Sequence, residues 1–104
     1  MKLGFFKKKD STSAKELEKY HGKVISYAVE RKNGEEINLG KKGGISVLLN
    51  EIVVLCDGHE VFRCKKSGAV VCGLMSGNGC DIKGVDSVSG EKRHVICFYA
   101  QIPH

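Results

Sequence analysis

Turn signals recur along this chain at nearly regular intervals, and they leave room for little except short antiparallel strands. Gly43-Gly44, Asn50-Glu51, Asp57-Gly58, Ser67-Gly68, Ser76-Gly77-Asn78-Gly79 and Ser89-Gly90 separate apolar runs such as Ile52-Val53-Val54-Leu55-Cys56 and Val95-Ile96-Cys97-Phe98-Tyr99. Strands of about five to ten residues closed by tight Gly-containing turns mark an antiparallel β-domain. The pattern predicts strands over 23–30, 35–39, 45–49, 52–56, 60–64, 69–72, 80–85 and 93–100. The segment 69–75 also fits one helical turn through Val70, Leu74 and Met75. Pro103 lies beyond the last strand and interrupts no ladder.

The turns carry finer expectations. Arg31-Lys32-Asn33-Gly34 turns the chain, Glu35 to Leu39 returns as a weaker edge strand, and Gly40 to Gly44 forms a flexible connection. A two-residue loop at Asp57-Gly58 places Cys56 opposite His59, Val54 opposite Val61 and Ile52 opposite Arg63. A four-residue loop at Ser87 to Gly90 sets Cys80 against Cys97 and Ile82 against Val95 on one apolar face, with Lys83 and His94 on the other. Ahead of the strands, Ser13 and Glu16 form a capping box, Ala14, Leu17 and Tyr20 share a helical face, and Gly22 stands where the helix stops. So short a helix is marginal alone, and Leu17 and Tyr20 must dock on the sheet. The expected fold is mainly all-β: a small antiparallel barrel or two-sheet sandwich of six to eight short strands with a short N-terminal helix.

The order Ile45 to Leu49, Asn50-Glu51, Ile52 to Leu55, Asp57-Gly58, Val61 to Cys64, a short segment and a long final hairpin resembles bacterial pleckstrin-homology or GRAM-like domains over residues 23–100. The resemblance lies in the rhythm of strands and turns rather than in a motif. It implies a small barrel plugged by a helix, but Gln101 to His104 leave no room for the C-terminal helix of that family: either an N-terminal helix replaces it, or the barrel is a simpler SH3-like or OB-like one. No lipid-binding residue of the family carries over to a position here.

A chain of 104 residues is one domain's worth, divided here into a flexible basic arm (1–12) and a single β-rich domain (13–104). No apolar run approaches the roughly 20 residues that span a bilayer. The start Met1 to Lys9 lacks the apolar core of a secretory signal, which implies a cytoplasmic protein. The five cysteines, an odd number, read as buried thiols rather than a disulfide framework. Four of them lie eight residues apart, the repeat length of a strand plus a turn.

The formal charge of +5 is unevenly placed: residues 1–9 hold four Lys and no acid, whereas residues 51–104 hold six basic and six acidic side chains. The excess therefore sits on the arm and the first strands. Lys7, Lys8 and Lys9, joined by Lys41 and Lys42, are the candidate contacts to an anionic partner. With Leu3, Phe5 and Phe6, the arm also has the make-up of a weak peripheral membrane contact.

Catalytic and metal chemistry find little support. Cys56-Asp57-Gly58-His59 and His94-Val95-Ile96-Cys97 have ligand spacing for zinc, but residues three apart on the strand 93–100 face opposite ways. Cys, His and Asp occur without a triad pattern. Gly73 to Cys80 lacks the Gly-Lys-Ser/Thr end of a phosphate loop. The expectation is no catalytic residue, no metal and no cofactor. Cys80 and Cys97 form the one candidate redox pair, although directly opposed residues stand wider than a relaxed disulfide prefers. The chain reads as a non-enzymatic interaction or adaptor module that takes a protein partner by edge-strand addition. The alternatives are a small-barrel nucleic-acid binder, for which Tyr27 or Tyr99 must stand exposed among lysines, or a peripheral membrane module using the arm.

Overall fold

Seven antiparallel strands form one sheet in the computed structural model, which describes residues 12–100. They are β1 (Val24–Lys32), β2 (Glu35–Val47), β3 (Glu51–Cys56), β4 (His59–Lys65), β5 (Val70–Gly73), β6 (Gly79–Val85) and β7 (Lys92–Tyr99), in the spatial order β4-β3-β2-β1-β7-β6-β5. Every pairing joins neighbours in sequence except β1 with β7. The sheet curls until its flanks touch: Cys64 of β4 bridges to Asp86 just after β6, and the Ser87 N–H donates to the Arg63 carbonyl at 2.8 Å. The curled single sheet, rather than two packed sheets, is the way these strands bury their apolar faces.

Period-two alternation builds the interior. Ile52, Val54 and Cys56 of β3 meet Ile45 of β2, Phe62 and Cys64 of β4, and Cys80, Ile82, Val95 and Cys97 of the last hairpin in one buried cluster. The segment before β1 adds to it. Helix α1 (Ala14–Leu17) starts at Ser13, whose Oγ accepts from the Glu16 N–H at 3.2 Å, and it runs into a 3-10 turn over Glu18–Tyr20. Leu17 and Tyr20 are buried in the cluster as the sequence required. His21 Nδ1 then accepts from the Val47 N–H at 2.8 Å, and Gly22 donates to the Ile45 carbonyl. These bonds fasten the helix to the end of β2.

Three sequence readings change. Residues 35–47 are one strand, not an edge strand, a linker and a second strand. Its first half pairs with β1 from Glu35 to Gly44, and its second half also pairs with β3 from Gly43 to Val47. The Gly40-Lys41-Lys42-Gly43-Gly44 run is therefore a corner of the sheet, where glycine lets one strand bend and another backbone approach. A Cβ on Gly43 would lie 1.6 Å from the Leu55 carbonyl oxygen. Asp57 braces the corner: its Oδ2 accepts from the Lys41 N–H at 3.0 Å, and its own N–H reaches the Lys41 and Lys42 carbonyls.

The β3–β4 register is the second change. Asp57 and Gly58, with φ of 54° and 78°, make the expected two-residue turn, and Cys56 faces His59. A bulge then puts Val54 opposite Phe62, not Val61, and Ile52 opposite Cys64, not Arg63. The displaced register places Phe62 and Cys64 inside, which a regular ladder would have turned outward. The third change is small. Thr12 belongs to the fold rather than to an arm ending at residue 12: its N–H donates to the Ala69 carbonyl at 2.8 Å, and its Oγ1 bridges the N–H and carbonyl of Val71. The ambiguous stretch 69–75 contains β5, a strand.

Candidate functional site

Among the described residues the sheet has three stretches of edge, and they are not equally open. The β4 edge is bridged at Cys64, and the carbonyls of Val61 and Arg63 accept from the Arg93 guanidinium and the Ser87 N–H. The β5 edge is occupied at Ala69 and Val71 by Thr12. The third is the first half of β2. Residues 35–39 pair with β1 on one side, and among the described residues no strand pairs with them on the other. Ile37 there is 47% exposed, between Glu35, Glu36 and Asn38. The hairpin is held by a type I′ turn at Asn33-Gly34, both with positive φ, and by an Arg31–Glu36 ion pair of 2.8 Å.

Beside this edge lies an aromatic face. Tyr27 of β1 and Phe98 of β7 are register partners on the outside of the sheet, their rings stacked at 4.5 Å and 16°. Tyr27 is 37% exposed, and across β2 it faces Lys41. Val24, Ile25, Ser26, Lys41, Lys42, Gly43 and Ala100 outline an open groove next to the stack. Tyr99 is different: it packs against the core, and the Lys23 ammonium sits 5.2 Å from its ring centre. Lys41 and Lys42 thus belong to a defined surface, whereas Lys7, Lys8 and Lys9 lie outside the described residues, as does the whole membrane-contact reading of the arm.

The last hairpin has the register the sequence predicted, with Cys80 opposite Cys97, Ile82 opposite Val95 and Lys83 opposite His94. The Tyr99 N–H bonds to the Asn78 carbonyl and the Asp86 N–H to the Glu91 carbonyl. Counting by twos from either end makes Cys80–Cys97 a hydrogen-bonded pair, the kind with Cα atoms about 5.5 Å apart. Both thiols are fully buried and free. Their hydrogen bond, with burial behind it, pushes the Cys97 thiol far above its ordinary range, so it is not a nucleophile at neutral pH.

On the outer face Cys72 pairs with Asp81, and His94 Nε2 lies 3.5 Å from the Asp81 carboxylate. The acid stands between thiol and imidazole in strand order, whereas nucleophilic activation needs the imidazole next to the thiol. His94 and Cys97 face opposite sides of β7, and among the described residues no three His, Cys, Asp or Glu side chains converge as metal ligands.

One constellation had no signal in the sequence. The Arg93 guanidinium, facing inward, makes a two-bonded pair with Glu30 (2.9 and 2.7 Å), a further bond to Asp86 (2.7 Å), and lies 5.0 Å from the centre of the Phe62 ring. Asp86 also accepts from the Val88 and Ser89 N–H groups. These bonds join β1, β4, β7 and the β6–β7 turn, which makes Arg93 a seam of the curled sheet and not a binding group. Among the described residues, no helix is long and apolar enough to cross a membrane. Comparisons with protein-family models, with curated proteins and with solved structures find no match.

Proposed function

We propose that this protein is a non-enzymatic interaction module that accepts an extended segment of a protein partner along residues 35–39 of β2. The observation that carries the reading is the contrast between edges. The β4 and β5 edges are occupied by Asp86, Ser87, Arg93 and Thr12, while the β2 half-strand presents an exposed Ile37 and a backbone that, among the described residues, no strand pairs on its outer side. Strand addition draws affinity from main-chain hydrogen bonds and specificity from alternate side chains. The exposed Glu35 and Glu36 fit a partner with basic residues in its strand. The test is selection from a random peptide library, followed by hydrogen exchange on the complex. Bound peptides should protect the amides of residues 35–39, and Ile37→Lys should abolish binding because edge lysines block pairing. Peptides that leave residues 35–39 unprotected would refute the proposal.

A second reading rests on Tyr27, whose exposed ring stands opposite Lys41. A stacking surface beside lysines is what a single-stranded nucleic-acid binder needs. Fluorescence anisotropy with labelled oligonucleotides separates the two. Salt-sensitive binding lost in Tyr27→Ala and retained in Ile37→Lys would favour nucleic acid. The likeness to pleckstrin-homology domains stays part of this proposal, supported by seven strands in one curled sheet with a helix docked on its core.

A further inference from the structure

The first half of β2 has a symmetry of its own. It is bounded by Gly34 in the turn and by Gly40 at the corner, and Ile37 stands midway between them. Glu35 closes the two-residue turn opposite Lys32, so its N–H and carbonyl point toward β1, and those of Ile37, opposite Glu30, do the same. The N–H and carbonyl of Glu36 and of Asn38 therefore point away from β1, and among the described residues no strand takes them. The β1–β2 register shifts only beyond Asn38, so the alternation holds across the whole stretch.

Laid antiparallel against a second copy of itself, this stretch pairs without conflict in one register, with the twofold axis at Ile37. Glu36 and Asn38 of each copy then exchange backbone hydrogen bonds with Asn38 and Glu36 of the other. Ile37 meets its own copy as a non-hydrogen-bonded pair, the kind that brings side chains closest. The exposed Asn38 amide lies opposite the Glu36 carboxylate, whose Oε2 holds Arg31 at 2.8 Å and whose Oε1 is left to accept from it. Glu35 falls opposite Leu39, so no two carboxylates are opposed. The neighbouring registers are worse. One sets Glu36 against Glu36, like charges directly opposed. The other, with Asn38 against Asn38, runs into the corner, where Asp57 already holds the Lys41 N–H and carbonyl.

We infer that in the free protein a second copy of this chain occupies the edge: the molecule is a reversible twofold dimer through residues 35–39, and a partner strand competes with it there. This rests on the reading of residues 35–39 as a strand acceptor. A twofold pairing covers both edges at once and leaves neither to propagate. The contact is smaller than a standard interface, so the dimer forms and dissociates over protein concentrations of roughly 1 μM to 1 mM.

Sedimentation velocity of the whole chain across that range is the direct test. A concentration-dependent dimer is expected, with the Glu36 and Asn38 amides gaining exchange protection as it forms. Asn38→Asp opposes like charges on both sides of the axis and should weaken the dimer about tenfold at low salt. Asn38→Lys opposes unlike charges and should tighten it by a similar factor, a pair of opposite signs that a disturbed edge would not give. In a Cys72→Ser background, oxidised glutathione should link Ile37→Cys copy to copy, since non-hydrogen-bonded partners have Cα atoms about 4.5 Å apart. Thermal melts matching the parent show that the variants fold. A chain monomeric throughout the range would overturn the inference, and peptides that still protect residues 35–39 would leave the strand-acceptor reading standing. A dimer indifferent to both Asn38 substitutions, or formed without protection of Glu36 and Asn38, would overturn it too.

Discussion

Gly43 and Gly58 show how differently one residue type is constrained in this chain. At Gly43 the Cβ of any other residue would strike the Leu55 carbonyl at 1.6 Å, a backbone atom that cannot rotate away, whereas nothing lies within 4 Å of the corresponding point at Gly58. Gly43→Ala should therefore cost about 3 kcal/mol through forced separation of β2 and β3. Gly58→Ala should cost about 1 kcal/mol, the penalty of its positive φ alone. Urea unfolding midpoints of the two variants would check the ordering. The thiols offer a second prediction. Cys72 is exposed and the other four cysteines are buried. A disulfide reagent should modify one thiol quickly in the native protein and the other four only on unfolding. Rapid modification of two or more would contradict the buried Cys80–Cys97 pair.

At the level of elements, legibility followed how local each signal was. The last hairpin was read residue by residue, because its loop chemistry and alternation agreed. The helix was read from Ser13, Glu16, Leu17 and Tyr20. β2 was not, because a glycine run means a linker or a corner depending on what approaches it, and β3 approaches only in three dimensions. The bulge at Val61 was hidden for a related reason: the turn was right, but nothing local said that Phe62 and Cys64, rather than their neighbours, would fill the interior. Candidate sites divided the same way. Lys41, Lys42 and Tyr27 were visible in the sequence, whereas the Arg93, Glu30 and Asp86 network joins strands distant along the chain. The Arg93 seam supplies the prediction at this scale. Arg93→Met leaves Glu30 and Asp86, both mostly buried, without their cation and should cost about 3 kcal/mol. A denaturation midpoint close to the parent's would show the network to be dispensable.

The whole molecule has a stability window set at both ends by the same interior. Hydrogen bonding to Arg93 holds the Glu30 carboxyl below its ordinary 4.5, and the Ser89 N–H and Arg93 hold Asp86 below 3.8. Lowered folded values mean stability present above those ordinary values and lost as pH falls through the folded ones. Burial, with Asp86 and Glu51 adding to it, pushes the Cys64 thiol from 9.0 to about 11, and burial also raises Cys56 and Tyr20. Raised folded values mean stability intact below pH 9 and lost as pH rises toward 11. Melting temperature against pH should be flat between these limits and fall outside them, and Cys64→Ala should soften the alkaline fall. The seam has a temporal consequence as well. Hairpins from β1 to β4 and from β5 to β7 can each zip from their own turns, but Arg93 meets Glu30 only across 63 residues of chain, a closure slow to gain and late to form. Its bonds are then absent at the folding barrier, and Arg93→Met should hasten unfolding in stopped-flow experiments while refolding keeps the parent rate. On that reading Arg93 acts as the latch that sets how long each folded molecule lasts.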